Sequence, residues 1–91
     1  MEIKYYAILR DITKVKEETW PSQPDTLEEL IHGLCKKYGK TFVKWVTNEE
    51  GGYGSLCIFL INGQDYRSLN GLQTNLKEND IISLFPPIAG G

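Results

Sequence analysis

The hydrophobic and polar positions of this chain change period several times, and each change marks an element. Residues 2–9, EIKYYAIL, alternate, with Ile3, Tyr5, Ala7 and Leu9 on one side and Lys4, Tyr6 and Ile8 on the other. A period of two in β-rich composition predicts a strand. Arg10-Asp11 reads as a turn. Residues 13–19, TKVKEET, alternate again and predict a second strand at a sheet edge, where charged side chains discourage edge-to-edge pairing. Trp20-Pro21 ends it, and Ser22 to Pro24 form a loop.

From Leu27 the period becomes helical. Leu27, Leu30, Ile31, Leu34, Cys35 and Tyr38 follow i, i+3, i+4, i+7, i+8, i+11 spacing and make one apolar stripe. Asp25 or Thr26 caps its start, with Glu28 or Glu29 three residues on in capping-box fashion. Lys36 and Lys37 suit the negative end of the helix, and Gly39 suits a left-handed stop. Residues 40–47, KTFVKWVT, fit either a short helix or an extended segment, with Phe42, Val43, Trp45 and Val46 covering one end of the core. The glycine-rich NEEGGYGS reads as a flexible connector. LCIFLI, 56–61, is a continuous apolar run of strand length, typical of an interior strand. Asn62-Gly63 is a strong hairpin turn signal, with a short return strand through Tyr66. Residues 68–76 form a loop pinned by Leu69, Leu72 and Leu76, and Glu78-Asn79-Asp80 turns into a last strand, 81–85.

The resulting order is β-β-α-β-β-β. One main helix must cover one face of a mixed four- or five-stranded sheet, with the apolar first and last strands adjacent at its centre. That is an α+β architecture of the ubiquitin-like β-grasp type. It divides the chain into a folded body, 1–85, and a C-terminal tail, 86–91.

Composition narrows the chemistry. The net charge of −2 and pI of about 5.3 leave no broad basic surface for nucleic acid. No apolar run reaches the length of a membrane span, and the alternating N-terminus lacks the form of a signal peptide, so the expected location is cytoplasmic. Cys35 and Cys57 lie far apart among apolar residues and read as buried free thiols, with no metal site. His32 is the only histidine and falls on the helix surface. Gly51-Gly52-Tyr53-Gly54 lacks the lysine and the following helix that a phosphate loop needs. Tyr5, Phe42, Trp45, Phe59 and Phe85 occupy core-like positions, which leaves no platform for stacking bases. No nucleophile, base and orienting group can be gathered in one place.

The tail is different. Pro86 and Pro87 favour an extended path, and from Pro86 to Gly91 the chain reaches about 20 Å. Ile88 is suited to an apolar groove, whereas Ala89, Gly90 and Gly91 are thin enough for a narrow channel.

These residues carry a resemblance. INGQDY and LNGLQTNLKENDIISLFPPIAGG, with MEIKYYAILRDIT and the helix DTLEELIHGLCKKYG, resemble ubiquitin-like sulfur carriers of the MoaD/ThiS type, most of all the small subunit of molybdopterin synthase. The matching positions are Asn62-Gly63, Leu76, Asp80, Phe85, Pro86-Pro87 and Gly90-Gly91, whereas 40–55 carries no family mark. Asn79 stands where a glycine is common, and Ile88-Ala89 replaces the commoner Val-Ser.

The resemblance implies a non-catalytic carrier with no bound cofactor. A ubiquitin-activating-type adenylyltransferase (MoeB-like) would use ATP to adenylate the Gly91 carboxylate, and a persulfide sulfur would convert it to a thiocarboxylate. Phe85, Pro86, Pro87, Ile88, Ala89 and Gly90 would bind the partner. The tail would deliver sulfur in the pocket of the large molybdopterin synthase subunit (MoaE-like), building the dithiolene for molybdenum or tungsten. The same ending also fits a modifier joined to lysines, a carrier serving a thiazole, tRNA or amino-acid acceptor, or a β-grasp interaction module without terminal chemistry.

Overall fold

The structure, a computed structural model, describes residues 1–21, 24–54 and 56–87. In chain order the elements are β1 (Glu2–Tyr5), α1 (Ile8–Thr13), β2 (Glu17–Thr19), α2 (Leu27–Tyr38), α3 (Lys40–Val46), β3 (Ile58–Ile61), β4 (Gln64–Asp65) and β5 (Ile81–Phe85). Two short 3-10 turns, Tyr66–Ser68 and Gly71–Gln73, lie between β4 and β5. The sheet order is β2-β1-β5-β3-β4. β1 runs parallel to β5, with Ile3 opposite Ile82 and Tyr5 opposite Leu84. β3 runs antiparallel to β5, with Phe59 opposite Leu84 and Ile61 opposite Ile82. The first and last strands are therefore adjacent in the middle, as the β-grasp order requires.

Alternation places Ile3, Tyr5, Phe59, Ile82 and Leu84 on one face of this sheet, where all are fully buried. They share a core with Leu27, Leu30, Ile31 and Leu34 of α2 and with Phe42 and Val46 of α3. Each such aliphatic side chain stabilises the fold by about 1.5–3 kcal/mol relative to exposure. The long helix starts and stops where its local signals lie. The Thr26 side chain accepts from the Glu29 backbone N–H at 3.3 Å, and the Glu29 carboxylate accepts from the Thr26 N–H at 3.3 Å. Gly39 ends the helix at φ 83°.

Several expectations are corrected. The first strand stops at Tyr5, not Leu9, and Arg10-Asp11 lies inside α1, not in a turn. Ala7, at φ 53° and ψ −134°, turns the chain out of the strand. Leu9 is still fully buried, now from a helix. The second strand shrinks to 17–19, because Thr13 ends α1 and Lys14 caps it in the left-handed region at φ 69°. Of the two readings open for 40–47, the helix is the one formed, over Lys40–Val46. The strand in 56–61 begins at Ile58, and Leu56 is 74% exposed. The return strand is only Gln64–Asp65, with Tyr66 opening a 3-10 turn. Leu69 faces solvent, whereas Leu76 is buried and Leu72 half-buried.

The glycine-rich connector is also more built than its composition implies. Asn48 Oδ1 accepts from the backbone of Glu50 at 2.9 Å and Gly52 at 3.0 Å, and the Asn48 N–H donates to Gly52 O at 2.8 Å. Thr47 and Tyr53 form a bridge, and the Gly54 N–H donates to Val46 O.

Candidate functional site

A continuous apolar run such as LCIFLI carries hydrophobic side chains on both faces of its strand. Phe59 and Ile61 point into the core. Ile58 and Leu60 point the other way and are half-buried. On β5 the same alternation sends Ile82 and Leu84 inward and leaves Ser83 and Phe85 on the open face. Register then gathers the outward residues, because Ile58 lies opposite Phe85 and Leu60 opposite Ser83.

Tyr6, just past the end of β1, completes the surface. Its ring stacks on Phe85 with centroids 4.1 Å apart and planes 12° from parallel. Tyr6, Ala7, Leu56, Ile58, Leu60, Phe85, Pro86 and Pro87, with Asp65 at one edge, line a shallow concavity of about 910 Å³. Apolar surface gathered in this way on a small domain makes this concavity the candidate interaction site. The tail leaves from its rim. Pro86 is buried and Pro87 half-buried, so the first two residues of the expected tail lie against the body.

Leu56 and Pro87 also border a second, more polar groove of about 430 Å³, lined as well by Lys44, Trp45, Asn48, Glu49 and Glu50. Cys57 is among its lining residues but only 2% exposed, and burial pushes its thiol up to about 12. Cys35 is likewise buried, free and shifted upward by burial. Burial disfavours the thiolate at both positions, in keeping with their reading as core residues. His32 is exposed on α2, where its Nδ1 meets the Tyr53 hydroxyl at 3.2 Å. Among the described residues no cluster of His, Cys, Asp and Glu is arranged to hold a metal ion.

One polar network sits at the far edge of the sheet. The Glu18 carboxylate accepts from Tyr5 Oη at 2.5 Å, from Lys37 Nζ at 2.7 Å and from the Tyr38 hydroxyl. Burial pulls the Glu18 carboxyl upward, but these three donors outweigh it and hold it below its ordinary value. Burial and the same carboxylate push the Tyr5 hydroxyl far up. The network ties β2 to α2 and lies outside both concavities.

Of the residues expected at the site, the structure brings together Phe85, Pro86 and Pro87. Ile88, Ala89, Gly90 and Gly91 lie outside the described residues. Phe85 is corrected from core-like to the open face, whereas Trp45, half-buried, does pack against the core. Tyr6, Leu56, Ile58 and Leu60 escaped the sequence reading. Their signal was a strand apolar on both faces in a chain with one main helix to cover it.

The profile of the ThiS family matches residues 3–91. Small archaeal modifier protein 3 of Haloferax volcanii is 28% identical over 92 residues, an alignment spanning 100% of this chain and 98% of the relative. The solution structure of small archaeal modifier protein 1 from Methanosarcina acetivorans is 30% identical, with a TM-score of 0.77 over 99% of this chain and 94% of the other. The structure of a BexX/CysO complex from Amycolatopsis orientalis contains a chain with a TM-score of 0.76 at 23% identity, covering 99% of this chain and 98% of that one, a likeness of fold alone. No helix among the described residues is long and apolar enough to cross a membrane. With the β-grasp topology and the platform at the base of the tail, these matches show that the chain belongs to the ThiS family of ubiquitin-like sulfur carriers and modifiers.

Proposed function

We propose that the chain is a sulfur carrier activated at the Gly91 carboxylate, and that its sulfur goes to a pterin precursor in molybdopterin synthesis. The observation that carries the first part is the open apolar face running into Pro86-Pro87. A carboxylate resists nucleophiles because its charge repels them and oxide is a poor leaving group. An adenylyltransferase docked on the open face would transfer AMP from ATP to Gly91 and release pyrophosphate. A persulfide would then displace AMP, and a thiol would cleave the resulting acyl disulfide to leave the thiocarboxylate. Gly90 and Gly91 present almost no side chain, which lets backbone enter an active site that a larger residue would block. The pterin acceptor is supported by the Phe85-Pro86-Pro87 lead-in, which resembles the molybdopterin synthase small subunit. The large synthase subunit would supply the catalytic groups.

A second reading, attachment to lysines of other proteins, is favoured by the full-length similarity to small archaeal modifier protein 3. Incubation with ATP, an activating adenylyltransferase and a persulfide donor is expected to exchange one oxygen for sulfur at Gly91, read by intact mass. Leu60→Asp is expected to prevent this without unfolding the chain. Normal sulfur loading by a Gly91 deletion would overturn the proposal. Pterin analysis of a deletion strain separates the acceptors: intact dithiolene synthesis with lost high-mass conjugates would establish the modifier reading instead.

A further inference from the structure

At the rim of the open face one charged side chain is held in place and uncommitted. Arg10 of α1 is exposed. Its Nε donates to the Tyr5 carbonyl at 2.8 Å. Its guanidinium carbon lies over the Tyr6 ring, 5.1 Å from the centroid, and Tyr6 in turn stacks on Phe85. The backbone bond and the ring fix where the guanidinium sits. Its outer Nη groups donate to no acceptor among the described residues, where the ion pairs formed are Lys37–Glu18 and Arg67–Asp65. On the opposite rim, Asp65 is satisfied by Arg67, which donates from Nε at 3.1 Å and Nη2 at 2.7 Å. Beside the platform, then, an acidic chain offers a free cation and a neutralised anion.

We propose that Arg10 is a specificity-determining contact of this face, and that its free fork receives a carboxylate from a partner protein whose apolar patch covers Tyr6, Leu60 and Phe85. The inference rests on the reading that the open face docks the activating enzyme. A planar guanidinium matches a carboxylate with two parallel N–H donors, and one already held against an aromatic ring loses less side-chain freedom on binding. The surrounding apolar surface excludes water and strengthens the pair. A polyanion such as nucleic acid or an anionic membrane would need a broad field of cations; Lys14 and Lys16 share a surface hollow with Arg10, but Asp11 lies among them, Asp65 closes the other rim of the face and the chain as a whole is acidic.

The test uses the full chain with ATP and a ubiquitin-activating-type adenylyltransferase from the same cell, following pyrophosphate release against carrier concentration. Arg10→Met, which keeps the stem over Tyr6, is expected to raise KM about tenfold with kcat unchanged, and Arg10→Glu by more. Arg10→Lys is expected to recover only part of the loss, because it restores charge without the fork. KM of the parent chain should rise with ionic strength, and that dependence should flatten in Arg10→Met even if the variant also loses some stability. Unchanged KM and salt dependence in Arg10→Met and Arg10→Glu, with loading abolished by Leu60→Asp, would overturn the role of Arg10 while the docking face stands. Full activity of Leu60→Asp would overturn the docking face itself.

Discussion

Replacing Gly54 by alanine puts a methyl group where the structure has no room for one. Gly54 sits at φ 94°, a conformation that L side chains rarely adopt. A Cβ there would lie 2.2 Å from the Tyr66 hydroxyl oxygen, 3.2 Å from Tyr66 Cζ and 3.6 Å from Phe59 Cε2. Tyr66 has little freedom to retreat, being 6% exposed and packed edge-on to Phe59 at 5.1 Å between centroids. The backbone conformation alone should cost about 1–2 kcal/mol. Forcing a methyl into packed surroundings adds about 1–3 kcal/mol. The sum, about 2–5 kcal/mol, is a large share of the roughly 5–15 kcal/mol that holds a domain together. Gly51 and Gly63 provide controls, since both have positive φ, 89° and 84°, and nothing within 4 Å of an added Cβ. Urea unfolding of the three alanine variants separates the two effects. Gly51→Ala and Gly63→Ala should lose only the conformational part, and Gly54→Ala about 1–3 kcal/mol more. Tyr66→Phe should recover part of that excess when combined with Gly54→Ala, because it removes the nearest atom. Equal losses in all three alanine variants would refute the steric argument.

Three further outcomes follow from the packing and electrostatics. Thr26→Ala should cost about 1 kcal/mol in urea unfolding by removing half of the capping box, and Thr26→Ser should restore most of it; an alanine variant as stable as the parent would refute the cap's contribution. Cys57 should resist iodoacetamide in the folded chain at about pH 8, since its thiol is buried and shifted to about 12, and react on denaturation; rapid native labelling found by peptide mass mapping would contradict its burial. Stability should fall at both ends of the pH scale. Glu18 has a depressed folded pKa, so its contribution is present above the unfolded value near 4.5 and is lost as pH falls through the folded value. Tyr5 has a raised folded pKa, so its contribution is full below the unfolded value near 10 and declines as pH rises past it. Glu18→Gln should flatten the acid limb and Tyr5→Phe part of the alkaline limb in denaturation midpoints measured against pH; an unchanged acid slope in Glu18→Gln would refute the assignment.

What the sequence determined by itself was whatever a few neighbouring residues can decide. The stripe from Leu27 to Tyr38 matches the long helix, Thr26 with Glu29 is one of the two caps the sequence allowed, and Gly39 stops the helix at positive φ, though with ψ −164° and not in the left-handed helical region. Asn62 and Gly63, both at positive φ, make the hairpin turn the dipeptide predicts. The adjacency of β1 and β5 was also legible, because two apolar strands need the covered centre of the sheet. Short windows carried less. Ile8 and Leu9, on opposite sides of the strand expected over 2–9, serve equally well as the first turn of a helix, and the turn at Ala7 that separates strand from helix has no signature in residue type.

The open face was decided only by the tertiary structure. Alternation says that Phe85 and Leu84 point to opposite sides, but not which side is covered. Ile58, Leu60 and Phe85 form an open apolar face because α2 and α3 bury the other one, with register bringing Ile58 opposite Phe85. Burial is a property of layers, and which face of a strand another layer covers is settled by contacts between elements far apart in the chain.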